Sequence, residues 1–269
     1  MTNTLRLAAL QMISGSEPAP NLVTAARLIA EAAGQGAQLV ALPEYFPIIE
    51  ASAATRLAVR ETEGHGPIQD LLAELAARHG LWIVGGSLPL LADDPLKFRN
   101  SSLVFDPSGR QVARYDKIHL FGFRKGAESY DEAAIIEAGA PRPVAFDAPC
   151  GRVGLGICYD LRFPELFRAL GELDLIVLPA AFTDTTGHAH WEVLLRARAI
   201  ENQCYVLAAA QGGRHPGGRV THGNSMIIDP WGEVLARIDK GEGVIVAELD
   251  PARIAEVRAS LPTLKHRRL

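Results

Sequence analysis

Three side chains combine reactive chemistry with a suggestive position. Cys158 ends the apolar run Arg152 to Ile157 and precedes Pro164-Glu165, a pair suited to a first helical turn. Glu44 follows the short apolar run Gln38 to Leu42, and Lys117 follows the run Gln111 to Tyr115. A thiol at a strand end before a helix meets backbone N–H groups and a helix dipole, which favour the thiolate. A carboxylate can take and return a proton, and an ammonium can hold a developing oxyanion. Taken singly, each residue has an ordinary reading. A lone cysteine usually packs as a small hydrophobe, and glutamate and lysine are usually solvated. Delivered together to strand ends, where ligand sites of α/β sheets gather, they predict one site for nucleophilic acyl chemistry. In that chemistry the Tyr159 backbone N–H is a second oxyanion donor.

The surrounding residues sharpen this. Gly154 to Arg168 resembles the nucleophile motif of the nitrilase superfamily, the carbon–nitrogen hydrolases. Leu42-Pro43-Glu44-Tyr45-Phe46 resembles its glutamate motif, and Arg114 to Phe121 its lysine motif, in the expected order. His190 to Glu201, Gln203 to Val206, Ala208 to Gln211 and Asn224 to Gly232 are most similar to the branch that hydrolyses deaminated glutathione. The resemblance implies a four-layer αββα sandwich, a thioester acyl-enzyme, a small-molecule amide substrate, no cofactor, and a homodimer or higher homo-oligomer. It also implies a second glutamate seven residues before a glycine. Glu132, before Gly139, fits, with Glu128 and Glu137 close by. An ω-amidase acting on α-ketoglutaramate is the nearest alternative; a catalytically silent binding subunit on the same fold is another.

Composition agrees with an enzyme core. The chain has 269 residues, 48% hydrophobic, with a formal net charge of −4. Scattered basic residues exclude a nucleic-acid surface, and the Lys265-His266-Arg267-Arg268 tail reads as a solvated or partner-facing end. Three cysteines with no paired or metal spacing fit a reducing, cytoplasmic setting. No apolar run is long enough for a membrane span.

Strands are expected at Leu5 to Met12, Gln38 to Leu42, Leu81 to Gly85, Leu173 to Leu178, Tyr205 to Ala210 and Gly243 to Leu249. Helices are expected at Leu22 to Ala33 behind an Asn21 cap, Ile68 to His79, Pro164 to Leu170, Ala189 to Gln203 and Ala252 to Ser260. Hairpins surround Asp106-Pro107-Ser108-Gly109 and Asp229-Pro230-Trp231-Gly232, and Val144 to Phe146 pairs with Arg152 to Ile157. The chain thus reads as two similar α/β halves in one domain, residues 1–269. Gly122 to Pro143 reads as a long functional connection.

The remaining candidates are weaker. Arg162 and Arg124 are candidate partners for a substrate carboxylate. Gln211 to Thr221, with Arg214, His215 and Arg219, is expected to line space beyond the scissile bond. His188, His190, His215 and His222 are read as packing or capping residues with no metal, since two helical positions two apart do not share a face. Gly154-x-Gly156 lacks the third glycine of a dinucleotide loop. Cys204 is expected in the core, and Cys150 as an exposed bystander.

Overall fold

A computed structural model describes residues 4–49, 52–126 and 128–268. The first part of the chain contains β1 (Leu5–Gln11), α1 (Pro18–Gly34), β2 (Leu39–Ala41), α2 (Ala53–Ala58), α3 (Pro67–His79), β3 (Trp82–Val84), β4 (Leu88–Leu91), β5 (Phe98–Phe105) and β6 (Gln111–Asp116). A small hairpin follows, β7 (Gly122–Lys125) and β8 (Glu128–Asp131). The rest contains β9 (Ala145–Ala148), β10 (Gly151–Leu155), α4 (Pro164–Ala169), β11 (Leu175–Ala180), α5 (Asp184–Asn202), β12 (Tyr205–Ala210), β13 (Ser225–Ile228), β14 (Val234–Ile238), β15 (Gly243–Leu249) and α6 (Pro251–Ser260).

Two sheets result. One runs β15-β1-β2-β3-β5-β4 with β6 also on β5; the other runs β14-β13-β12-β11-β10-β9. They pack face to face, β1 against β12 and β13, with α1 and α3 outside the first and α4 and α5 outside the second. This is the four-layer αββα arrangement. The strand period of two explains why β1 is apolar on both faces. Leu5, Leu7 and Ala9 enter the core between the sheets. Ala8, Leu10 and Met12 enter the core beneath α1 and α3, with Leu28, Ile29, Leu72 and Leu75. Each such leucine contributes about 1.5–3 kcal/mol by burial.

The two sheets carry matching hairpins. In β5–β6, Asp106 Oδ1 accepts the N–H of Ser108 and of Arg110. In β13–β14, Asp229 Oδ1 accepts the N–H of Trp231 and of Glu233. Gly109 (φ 82°) and Gly232 (φ 87°) supply the left-handed residue each turn needs. A register shift precedes each turn, at Val104/Phe105 and Ile227/Ile228.

Several expectations need correcting. Helix α1 begins at Pro18, so Asn21 is not its cap. Its buried side chain instead bonds the backbone of Gly15 and Pro47. Helix α5 begins at Asp184, capped by Thr183 Oγ1 accepting the Thr186 N–H, five residues before Ala189. Two threonines and Gly187 disguise its first turns, being poor helix formers. The connection from Gly122 holds a hairpin, and β4 is an additional strand. Cys150 is 1% exposed, a core residue and not a bystander. Among the described residues no helix is long and apolar enough to cross a membrane.

Candidate active site

Glu44, Lys117, Glu132 and Cys158 meet in one buried cluster between the ends of the two sheets. Glu44 follows β2 in a turn whose next residue, Tyr45, has φ 57°. Ser87 Oγ accepts the Tyr45 N–H, and Gln211 Nε2 donates to the Glu44 carbonyl. Gly86 (φ 53°) makes this turn possible, since a Cβ there would lie 2.2 Å from the Pro43 oxygen. Lys117 leaves β6 with its N–H on the Asn100 carbonyl and its own carbonyl accepting from Gly139. Its ammonium, fully buried, lies 2.8 Å from Glu44 Oε1 and 2.7 Å from Glu132 Oε2. Asn100 Nδ2 donates to the same Glu44 oxygen at 3.0 Å.

Glu132 opens a short 3-10 turn just after β8. Tyr45 O–H donates to its Oε1 and the Phe121 N–H to its Oε2, both at 2.7 Å. Glu128 is elsewhere, accepting from Thr185 Oγ1. Glu137 pairs with Arg99 at the surface end of β5. Of the three glutamates only Glu132 reaches Lys117.

Cys158 begins a 3-10 turn, Cys158–Arg162, with φ 50°. A non-glycine residue held there stores strain of order 1–3 kcal/mol, tolerated when its surroundings over-determine it. Asp160 does so. Its Oδ2 accepts the Ile157 N–H and the Tyr115 O–H, and its Oδ1 the His119 N–H. The turn bearing the thiol is thereby tied to the strand end bearing the lysine. Sequence reasoning missed Asp160, Asn100 and Tyr45; the available signal was a carboxylate two residues after the cysteine in an apolar setting.

The electrostatics differ from expectation. Burial, then the nearby Glu44 carboxylate, pushes the Cys158 thiol well above its ordinary pKa, with Lys117 opposing. Burial and the neighbouring carboxylate thus favour the thiol over the thiolate at rest, and α4, which begins only at Pro164, does not reverse this. The thiol shares the cluster with the Glu44 carboxylate, and both line the same chamber. Burial raises the Glu44 carboxyl, Lys117 opposes, and Glu132 adds a further upward push. Burial opposes charge on Glu132 as well, yet Lys117 and the Phe121 N–H prevail and hold it below the usual range. Burial disfavours the Lys117 ammonium, but Glu132 and Glu44 outweigh that and raise it well above 10.5. The cluster thus pairs a protonated thiol with a basic carboxylate beside a permanent cation.

Above it lies a narrow chamber lined by Glu44, Cys158, Tyr159, Arg162, Phe182 and Thr183. It adjoins a chamber of about 190 Å³ lined by Arg56, Tyr130 and Ile136; Tyr45, Phe121, Glu132 and Arg219 border both. The β7–β8 hairpin covers them, with the Phe121 ring 5.2 Å from Tyr159 and 5.6 Å from Tyr130. Arg162 sits over the Tyr159 and Phe182 rings and reaches His190 Nδ1. Arg219 sits over Tyr130. Arg124 is exposed and lines neither chamber. Arg214 is outside them too, donating to the Gly218 carbonyl. His215 is a packing residue between Ser14 and Thr221. Arg56, not anticipated, is deep enough that burial lowers its pKa, and among the described residues its Nε has no hydrogen-bond partner.

Comparison with known proteins gives a consistent result. Residues 6–259 match the carbon-nitrogen hydrolase family. A deaminated glutathione amidase of Synechocystis is 42% identical over 265 residues, covering 97% of each chain. An omega-amidase of Xenopus laevis is 39% identical over 267 residues, covering 98% of this chain and 95% of that one. The C. elegans NitFhit protein superposes with a TM-score of 0.89 at 38% identity, over 99% of this chain and 66% of that one. An amidase from Nesterenkonia sp. AN1, solved with acrylamide added at its active-site cysteine, superposes with a TM-score of 0.79 at 28% identity, over 96% of this chain and 98% of that one.

Proposed function

The chain belongs to the carbon–nitrogen hydrolase family, and within it we propose a cysteine amidase that acts through a thioester on Cys158, with deaminated glutathione as preferred substrate. The observation that carries this is the buried cluster itself, one ammonium on two carboxylates, with Glu44 and the Cys158 thiol lining one chamber. Glu44 takes the thiol proton as the sulfur attacks the amide carbonyl. The oxyanion is held by Lys117, which has three donors, and by the Tyr159 N–H. Collapse breaks the C–N bond while Glu44 gives its proton to the departing amine. Glu44 then takes a proton from water, whose oxygen attacks the thioester. Collapse releases the acid and returns the proton to sulfur. Glu132 neither gives nor takes a proton. It orients Lys117, and its low pKa keeps a second negative charge beside Glu44 that sustains Glu44's basicity.

The arginines support the substrate. Deaminated glutathione carries a carboxylate at each end, whereas α-ketoglutaramate carries one and releases ammonia. Arg162 faces the inner chamber, Arg56 the outer, and Arg219 borders both. Guanidinium groups at both ends fit a long dianion, and bidentate guanidinium–carboxylate contacts are strong. The reading extends to one hydrolase domain acting as a homodimer, supported by the exposed apolar Val193 and Ile200 on α5. Three free cysteines support a reducing, cytoplasmic setting.

The test is a panel of linear amides assayed for released amine or ammonia, with mass spectrometry of the trapped enzyme. An acyl mass on Cys158 and a higher kcat/KM for deaminated glutathione than for α-ketoglutaramate are expected. Arg56→Ala should narrow that gap. A wide preference for α-ketoglutaramate would favour the ω-amidase reading, and turnover by Cys158→Ala would remove the thiol mechanism.

A further inference from the structure

A second cluster of metal-ligating side chains lies on the far side of the inner chamber's wall. Asp184 and His188, one turn apart on α5, share a face. His188 Nε2 is 3.5 Å from Asp184 Oδ1. His222, from the segment before β13, completes the group, its Nδ1 3.9 Å from the same oxygen. The three ligand atoms all lie within 4.8 Å of one another. Gly187 admits the His222 ring against the helix, for a Cβ there would meet Cγ at 2.2 Å. His222 is 7% exposed, and among the described residues its Nδ1 has no hydrogen-bond partner. A buried imidazole nitrogen left unpaired costs free energy and calls for a ligand.

We propose that Asp184, His188 and His222 form a site for a borderline divalent transition-metal ion of the zinc class, separate from the hydrolytic cluster. Two imidazoles and a carboxylate suit such an ion, leaving a fourth position for water. At metal–ligand distances of about 2.0–2.1 Å, tetrahedral ligands stand about 3.3 Å apart. The Asp184–His188 pair is nearly there, and the exposed His188 ring can turn to close the rest. One group competes. Lys240 Nζ lies 2.9 Å from Asp184 Oδ1, and its half-exposed ammonium must swing aside for the ion.

The ion's effect follows from its position. Thr183 and Thr186 line the inner chamber on either side of Asp184. Thr183 also bridges to Thr221, next to His222. An ion bound here pins the first turn of α5 to the segment before β13, and so stiffens one wall of the substrate chamber.

The experiment uses the full chain with Cys158→Ala, so that the thiol cannot take the metal. Titration with Co²⁺, followed by its visible d–d absorption, and with Zn²⁺ by calorimetry should give one ion per chain. His188→Ala, on the exposed side of the site, and Asp184→Asn should each weaken Zn²⁺ binding by at least about tenfold, since even outer-shell partners commonly carry that much. Lys240→Ala should tighten it by removing the competing cation. Zn²⁺ should raise the melting temperature of the parent and not of His188→Ala. Affinity unchanged in both ligand variants, or no saturable binding by the parent, overturns the proposal.

Discussion

Two hairpins of this molecule end in nearly the same words. Ala113-Arg114-Tyr115-Asp116-Lys117 closes β5–β6, and Ala236-Arg237-Ile238-Asp239-Lys240 closes β13–β14. Each lysine stands eight residues after its turn glycine, Gly109 or Gly232. Each preceding arginine pairs with the aspartate two residues on, at 2.9 Å in both. Yet Lys117 is wholly buried on two carboxylates, and Lys240 is 46% exposed on one. The difference arises from what comes next. After Lys117 the chain makes a long excursion that brings Glu132 and Phe121 back over the lysine, returning at Gly139. After Lys240 it turns straight into β15 at Gly243. A strand-end lysine becomes a reactive-site cation through the segment that covers it, and the local sequence does not decide between the two fates.

The comparison breaks most visibly by removing each lysine. Lys117→Ala should lower kcat by about 10²–10³-fold or more, the usual scale for one oxyanion donor. It should also cost about 3–5 kcal/mol in chemical denaturation, because two buried carboxylates lose their shared counter-ion. Lys117→Ala with Glu132→Gln should recover part of that stability and none of the rate. Near-normal turnover in the single variant would take Lys117 out of the mechanism.

The pH profile sharpens the comparison next. Glu44 acts as base only when ionised, and its carboxyl sits above its ordinary 4.5. Activity should therefore rise with pH along an acid limb whose midpoint lies above 4.5. Lys117 keeps its proton well past 10.5, so it sets no limb near neutrality. Glu44→Gln should be slow and lack this limb. A wild-type midpoint at or below 4.5 would contradict the burial argument.

The turns, which the two hairpins share, should respond alike. Asp106→Ala and Asp229→Ala each remove a carboxylate that caps two backbone N–H groups, and each should cost about 1.5–3 kcal/mol, read from denaturant midpoints. For Asp106 the Ser108 hydroxyl, ahead of the backbone bonds, holds the carboxyl down to about 2. Its folded pKa is depressed, so its contribution is present above about 4 and lost as pH falls through about 2. Asp106→Asn should flatten that part of the stability profile. The smallest effect belongs to Lys240→Ala, with kcat within about twofold of wild type and stability changed by at most about 1 kcal/mol, as for an exposed pair.

Much of this was legible in the sequence, for physical reasons. Apolar runs before Glu44 and Cys158 expose strand ends, because a strand buried on both faces must be apolar throughout, and the hairpin around Gly109 places Lys117 at the end of the half-buried β6. Aspartate-proline-glycine turns are equally explicit. What stayed hidden depends on tertiary packing. Strands β7 and β8 pair without an apolar alternation to announce them, since both are largely exposed. The start of α5 was masked by Gly187, whose role is to admit a histidine ring from a distant segment. The protonated state of Cys158 could not be read from its neighbours in the chain. It comes from burial beside Glu44, more than a hundred residues away.

One pairing has a consequence for how the protein is made. Strand β1 pairs with β15 along its whole length, Leu5 to Leu249 through Gln11 to Gly243. A ribosome must therefore have synthesised residue 249 before β1 gains this neighbour. At about 5–20 residues per second that is a wait of about 12–50 s. Throughout it, an apolar strand exposes an unpaired edge, the kind of surface that invites association between nascent chains. Growing polypeptides of this protein should be clients of holding chaperones until β15 emerges, and ribosomes stalled before codon 243 should carry chains more sensitive to protease than those stalled well beyond codon 249.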